Sequence, residues 1–308
     1  MAHTEITHSS ISAQLMQTIM DCDMPELRTC EYTDHKQLDI ENDIDPDNHF
    51  FSNINDNCYY YTDEQYNQTI KADGQLSIIH FNSRSMYTNF TKIKQYLSRF
   101  TQPFNIITIS ETWIDEEKGV DFGLEGYEFN YINRKCKGGG GVAVYVDSKL
   151  NYKVIENMTT VIDNLVECLT VELCMENSKN VLISCIYRAP DTSIDVFNAW
   201  IEEMYTLNNQ KVLFISGDTN IDLLKSSNHR MTEEFINTMY SLGLHPNIIR
   251  PSRITSHSAT LIDNIFTNDI DNKTRSGLLI NDISDHLPVF TIYDCNCKKK
   301  CDRTQAAF

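Results

Sequence analysis

In this 308-residue chain, polar side chains of chemically useful types recur at the ends of apolar runs. Asn82 follows Leu76-Ser-Ile-Ile-His-Phe81, and Glu111 follows Pro103-Phe-Asn-Ile-Ile-Thr-Ile109 in Ser110-Glu-Thr-Trp113. Tyr187 and Arg188 end another run, and Asp218 and Asn220 follow the next in Ser216-Gly-Asp-Thr-Asn-Ile221. Asp263 lies inside Leu261-Ile-Asp-Asn-Ile-Phe266, and Asp285-His286 precedes the last run. Histidine is the side chain best suited to acid–base work near neutral pH. A carboxylate inside an apolar strand, as at Asp263, needs a partner, and a histidine is the natural one. Taken singly, each feature has a bland reading: Gly-Asp-x-Asn suits a turn, and Arg188 suits the surface. As an ordered set they describe a rigid site built on strand ends.

The apolar runs define the elements that would carry these residues. Leu76–Phe81 and Pro103–Ile109 read as buried strands. Between them, Phe90, Ile93, Tyr96, Leu97 and Phe100 recur at helical spacing. Tyr127–Ile132 and Gly141–Val146 flank a glycine turn, and Val166–Met175 with Asn180–Tyr187 reads as a hairpin. Helices are expected over about 194–207 and 231–242, with strands at Val212–Ser216, Leu261–Thr267 and Leu287–Tyr293. Strands interleaved with few helices imply a layered α and β fold.

Composition narrows the class. The chain is 41% hydrophobic and 22% charged, close to the globular average, which excludes a wholly disordered chain or a coiled coil. No apolar run reaches the ~18–20 residues of a membrane span. Met1-Ala2-His3-Thr4-Glu5 lacks a secretory n-region, so the protein is not expected to be secreted. The formal charge is −17, and residues 1–75 hold 15 of the acidic side chains against 3 basic ones. That segment is expected to be largely disordered, with one short amphipathic helix over 11–20. Such acidity argues against tight non-specific nucleic-acid binding and leaves room for a local basic groove.

Other motifs have plain readings. The ten cysteines form no disulfide framework. Cys168, Cys174 and Cys185 read as core thiols, and Cys295, Cys297 and Cys301 as part of a loose tail rather than a metal half-site. Gly138–Gly141 lacks the Lys-Ser/Thr ending of a phosphate loop and reads as a hairpin turn. Trp113 reads as a packing residue at a strand end. The histidine spacing disfavours a zinc hydrolase.

As a set, Asn82, Ser-Glu-Thr, Tyr-Arg-x-Pro, Gly-Asp-x-Asn, Ile-Asp-Asn-Ile and Ser-Asp-His resemble the endonuclease/exonuclease/phosphatase family, which includes DNase I and apurinic endonucleases. The closest subtype in appearance is the apurinic-type endonuclease domain of LINE-type (non-LTR) retrotransposons. Its cues are Ser110-Glu-Thr-Trp113, the glycine run before Val-Ala-Val-Tyr, Ile186-Tyr-Arg-Ala-Pro190 and Ser258-Ala-Thr-Leu-Ile-Asp-Asn-Ile-Phe-Thr267. The resemblance covers residues 76–293, flanked by the acidic segment 1–75 and a basic, flexible tail at 294–308. No reverse transcriptase follows, so the chain resembles an isolated fragment of such an element's polyprotein.

The resemblance implies a four-layer α/β sandwich, two packed and mainly antiparallel β-sheets flanked by helices. It implies a phosphodiester hydrolase using Mg²⁺, with Mn²⁺ as an alternative, that nicks double-stranded DNA. Carried over, Glu111 is the metal carboxylate with Asn82 beside it, and Asp285 approaches the metal. Asp218 orients or deprotonates the attacking water, and Asn220 positions water or phosphate. His286 contacts a phosphate oxygen, Asp263 fixes its tautomer and charge, and Tyr187 donates its hydroxyl. Which carboxylate is the base stays open. Arg84 and Arg188 would reach phosphate, and Thr255 and Thr260 would stand at the DNA-facing edge. Two departures stand out. Arg84 occupies a position where many repair-type relatives carry a second acid, and Tyr187 is followed by Arg-Ala-Pro. Abasic-site repair, a phosphatase of the same fold and an inactive binding fragment are the alternatives. No membrane or small-molecule cofactor is implied. The inferred substrate implies nuclear action, in a protein otherwise cytoplasmic.

Overall fold

A computed structural model of the chain describes residues 58–134, 139–175, 179–206, 211–270 and 274–295. In chain order it forms β1 (Tyr59–Tyr61), α1 (Asp63–Thr69), β2 (Leu76–Asn82), α2 (Met86–Leu97), β3 (Ile106–Ser110), β4 (Tyr127–Ile132) and β5 (Val142–Asp147). Then come β6 (Tyr152–Val154), β7 (Thr160–Ile162), β8 (Val166–Leu173), β9 (Val181–Arg188), α3 (Ile194–Tyr205), β10 (Val212–Asp218) and α4 (Arg230–Ser241). The remainder gives β11 (His245–Pro246), β12 (Arg253–Ile254), β13 (Ala259–Thr260), β14 (Asp263–Thr267), β15 (Thr274–Leu279) and β16 (Val289–Tyr293).

The strands form two seven-stranded sheets and a small hairpin. One sheet has the order β1-β15-β16-β2-β3-β5-β4. The other has the order β11-β14-β10-β9-β8-β6, with β7 also on β8, and β12 pairs with β13 outside both. Pairing is antiparallel except at β1/β15, β2/β3 and β9/β10. This is the expected sandwich of two mainly antiparallel sheets flanked by helices.

Successive residues of a strand face opposite ways, so a central strand covered on both sides must be apolar throughout. In β2, Ile78 faces the second sheet, and Ile79 and Phe81 face α1 and α2. The inner core joins Val142, Val144 and Val289 of the first sheet to Ile183, Cys185, Phe214 and Ile265 of the second. Phe197, Trp200 and Phe235 of α3 and α4 cover the second sheet's outer face. Cys168 and Cys185 are buried free thiols, as expected, while Cys174 is half-buried.

The boundary expected at residue 75 falls inside this folded unit. β1 pairs with β15, and α1 starts with a capping box between Thr62 and Gln65. Tyr66 of α1 packs edge-on against Phe100 and Phe290. The expected helix at 11–20, the rest of segment 1–57 and the tail from 296 lie outside the described residues. Among the described residues, no helix is long and apolar enough to cross a membrane.

Candidate active site

The polar residues meet because the strands that carry them end side by side. Asn82 and Ser110 are paired at the ends of the parallel strands β2 and β3. Asp218 pairs with Tyr187 on one side and Asp263 on the other. A Cβ on Gly217 would collide with Ile186 O, so only glycine lets β10 run this close to β9.

Asn82 joins the two sheets. Its Nδ2 donates to Glu111 Oε1 and to Asp218 Oδ2, both at 2.8 Å. Its Oδ1 accepts from the Arg84 backbone N–H at 3.1 Å. Asn82 therefore lies beside Glu111, as expected, and meets both carboxylates as a donor. Ser284 Oγ donates to Asn82 O at 3.0 Å and accepts from the His286 N–H, tying the Ser-Asp-His loop to β2.

His286 and Asp263 form the expected pair, Nδ1 to Oδ2 at 2.8 Å, with both side chains buried. Ser252 Oγ donates to the same Asp263 oxygen at 2.8 Å, and His80 Nε2 lies 4.0 Å from the other. Burial alone would lower the His286 pKa, but the charge and hydrogen bond of Asp263 outweigh it, aided by Asp218 and Asp285, and raise it to about 9. Burial likewise opposes the charged form of Asp263, yet His286 holds that carboxyl below its ordinary value. His80 goes the other way. Burial lowers it to about 4, so it stays neutral between Thr108 and Ser110. A histidine inside the apolar run Leu76–Phe81 was the available signal for this residue.

Asp218 is fully buried, and burial together with Asp263 pushes its carboxyl up to about 7. The Asn220 backbone N–H donates to Asp218 Oδ1 at 2.8 Å. The Asn220 side chain donates to Arg188 O at 2.8 Å, which ties it to the end of β9. Tyr187 is buried on the other side of Asp218, and burial first, then Glu111 and Asp218, raise its hydroxyl pKa. The Arg134 guanidinium lies over its ring at 5.6 Å and pairs with buried Glu167.

Two expected assignments change, those of Arg188 and Asp285. Arg188 is 2% exposed, and its guanidinium donates to Thr219 O at 3.1 Å and to Thr192 O, over the Phe197 ring. It is a loop-fixing arginine, not a phosphate contact. Asp285 is bracketed by Arg84 Nη1 at 2.7 Å and Arg253 Nε at 2.8 Å. Burial would raise its pKa, but the two arginine hydrogen bonds lower it to about 2. Its oxygens face cations, whereas the residues close enough to share an ion are Glu111, Asp218 and His286, within 4.8 Å of one another. Thr255 uses its hydroxyl to cap its own turn, accepting from Ser258 N at 3.1 Å. Thr260 pairs with Arg253 in the β12/β13 hairpin beside His286. Arg253, which the sequence reading passed over, is half-buried there.

Backbone strain gathers here. Six described non-glycine residues have left-handed backbones, and five of them, Arg84, Ser85, Glu111, Trp113 and Asn220, line this end of the sandwich. Such conformations cost roughly 1–3 kcal/mol each and persist where the surroundings impose them.

The comparisons agree with the fold. The family model described as Endonuclease-reverse transcriptase matches residues 181–290, a little over a third of the chain. The match carries Tyr187, Asp218, Asp263 and His286 and leaves Asn82 and Glu111 outside. The endonuclease domain of TRAS1, a telomere-specific non-LTR retrotransposon, superposes with a TM-score of 0.58 at 16% identity, covering 72% of this chain and 99% of that one. An AP endonuclease from Archaeoglobus fulgidus gives 0.53 at 16% identity, over 71% and 99%. An AP endonuclease from Leishmania major gives 0.62 at 12% identity, over 82% and 99%. No curated protein matches by sequence. The fold is thus that of the endonuclease/exonuclease/phosphatase (DNase I-like) group, as the motifs led us to expect.

Proposed function

We propose that the chain is a divalent-metal-dependent phosphodiester hydrolase that nicks double-stranded DNA, in the manner of a non-LTR retrotransposon endonuclease. The observation that carries this reading is the convergence of Glu111, Asp218, Asp263 and His286 around the Asn82 amide that bridges both sheets. Two carboxylates held by one amide suit a hard cation such as Mg²⁺, which prefers oxygen ligands. Glu111 would hold it, with Asp218 beside it for the attacking water. Once bound, such an ion neutralises charge on the scissile phosphate or the leaving oxygen. His286 has its Nδ1 on Asp263, and its raised pKa keeps it cationic at neutral pH. That suits a phosphate oxygen better than a metal. Asp218 would orient the attacking water and accept its proton. The Tyr187 hydroxyl, protonated well above neutral pH, donates to the phosphate. Arg84, Arg253, Thr255 and Thr260 form the rim that meets the DNA backbone. Nuclear action follows from that substrate.

Supercoiled-plasmid nicking tests the reading. The expected result is Mg²⁺-dependent relaxation, restored by Mn²⁺ and abolished by EDTA. A strong preference for an abasic duplex would move the assignment to repair. Phosphate release without nicking would move it to a phosphatase.

A further inference from the structure

We infer that Trp113 is a DNA-docking residue, an indole that packs on the sugar or base edge of a nucleotide flanking the scissile phosphate. This rests on the proposed function and adds a contact that neither the motifs nor the comparisons assign. A tryptophan at the end of an apolar strand is expected to pack inward, and this one does not. It is 40% exposed, against 7% for Trp200, the other tryptophan of the chain.

The backbone holds it outward. The segments after β2 and β3 run together. Ser83 N donates to Ser110 O, Ser85 N to Glu111 O and Met86 N to Thr112 O, each at 2.9 Å. On the other side, Thr112 N and Trp113 N donate to Gly141 O and Gly140 O in the glycine turn. Gly139, Gly140 and Gly141 all have positive φ, so the turn takes a path that other residues resist. Clamped on both sides, Glu111 and Trp113 both adopt left-handed backbones, at φ 51° and 53°. The alternation then sends Glu111 to the site, Thr112 into the core and Trp113 outward.

The same double loop presents Arg84, whose side chain is 46% exposed. A cation and an exposed indole thus share one strained edge two residues from the site carboxylate Glu111. A guanidinium takes phosphate, and an indole face takes the apolar edge of a nucleotide whatever its sequence. No other exposed aromatic side chain of the described residues lies on these site loops.

The test uses the full chain in EDTA, so that binding is read without cleavage. Tryptophan emission and the anisotropy of a fluorescein-labelled duplex are followed in one titration. Wild-type protein should show quenched or shifted emission that saturates with the anisotropy. Trp200→Phe should keep that change, because Trp113 carries it. Trp113→Ala should abolish it and weaken binding roughly tenfold, with Trp113→Phe recovering much of the loss. Far-UV circular dichroism should be the same for all variants. Tight binding by anisotropy with unchanged emission and full affinity in Trp113→Ala would overturn the Trp113 inference alone. No binding by wild-type protein would overturn the proposed function with it.

Discussion

Asp218 and Asp285 stand at the same end of the sandwich, and burial opposes the charged form of both. Their outcomes differ because of the company they keep. Asp218 lies on the floor among Asp263, Glu111 and the Asn82 amide, and its pKa rises to about 7. Its nearest cationic atom, His286 Nδ1, is 4.0 Å away and bonded to Asp263 instead. Asp285 lies on the rim between two arginines, and its pKa falls to about 2. A carboxylate paired twice cannot act as a base at neutral pH, and it cannot ligate a metal without giving up an arginine. A carboxylate left without its own cation can do either. Under the proposed function, chemistry falls to the floor and binding to the rim.

The largest expected effect comes from breaking the floor. Asp218→Asn or His286→Ala should slow nicking by about 10³-fold or more while duplex affinity stays within a few-fold, checked by anisotropy. Asp263→Ala should also lower unfolding stability by about 3–5 kcal/mol in urea titrations, because it strands a buried His286 cation. The rim should answer differently. Arg84→Ala should raise KM about tenfold, leave kcat nearly unchanged and reduce the salt slope of binding by about 1. A collapse of kcat there would break the division. Asp285→Asn sharpens it. The Mg²⁺ concentration for half-maximal rate should stay within about twofold, whereas Glu111→Gln should shift it by about tenfold.

The smallest effects are in stability against pH. His286 has a raised pKa, so its contribution is full below the ordinary histidine value, near 6.5, and is lost as pH rises through about 9. Asp285 has a lowered pKa, so its contribution is full above 3.8 and is lost as pH falls through about 2. Melting curves of His286→Ala and Asp285→Asn against wild type should converge at those opposite ends. The Asp285 difference should be the smaller, since Arg84 is half exposed and its pairing is screened by solvent.

What the sequence revealed follows from how local each signal is. Leu76–Asn82, Val142–Asp147 and Val181–Arg188 are buried on both faces, so their apolar runs announced them. β15 did not announce itself, because Arg275 and Gly277 interrupt its run, and β1 is three residues at the edge of an acidic stretch. The floor residues were legible because each ends or interrupts a strand. The rim was not. The partners of Asp285 are Arg84, 201 positions away, and Arg253, 32 away. Arg188 was misread for the same reason. Nothing in Ile186-Tyr-Arg-Ala-Pro190 tells that its guanidinium meets the carbonyl of Thr219.

The most direct test of the floor and rim is single-turnover nicking in Mg²⁺ under saturating protein, comparing His286→Ala with Arg84→Ala. Saturation removes differences in binding and leaves the chemical step. We expect Arg84→Ala to cleave at close to the wild-type rate and His286→Ala to be slower by orders of magnitude. Equal losses in both variants, or a near-normal rate in His286→Ala, would contradict the account.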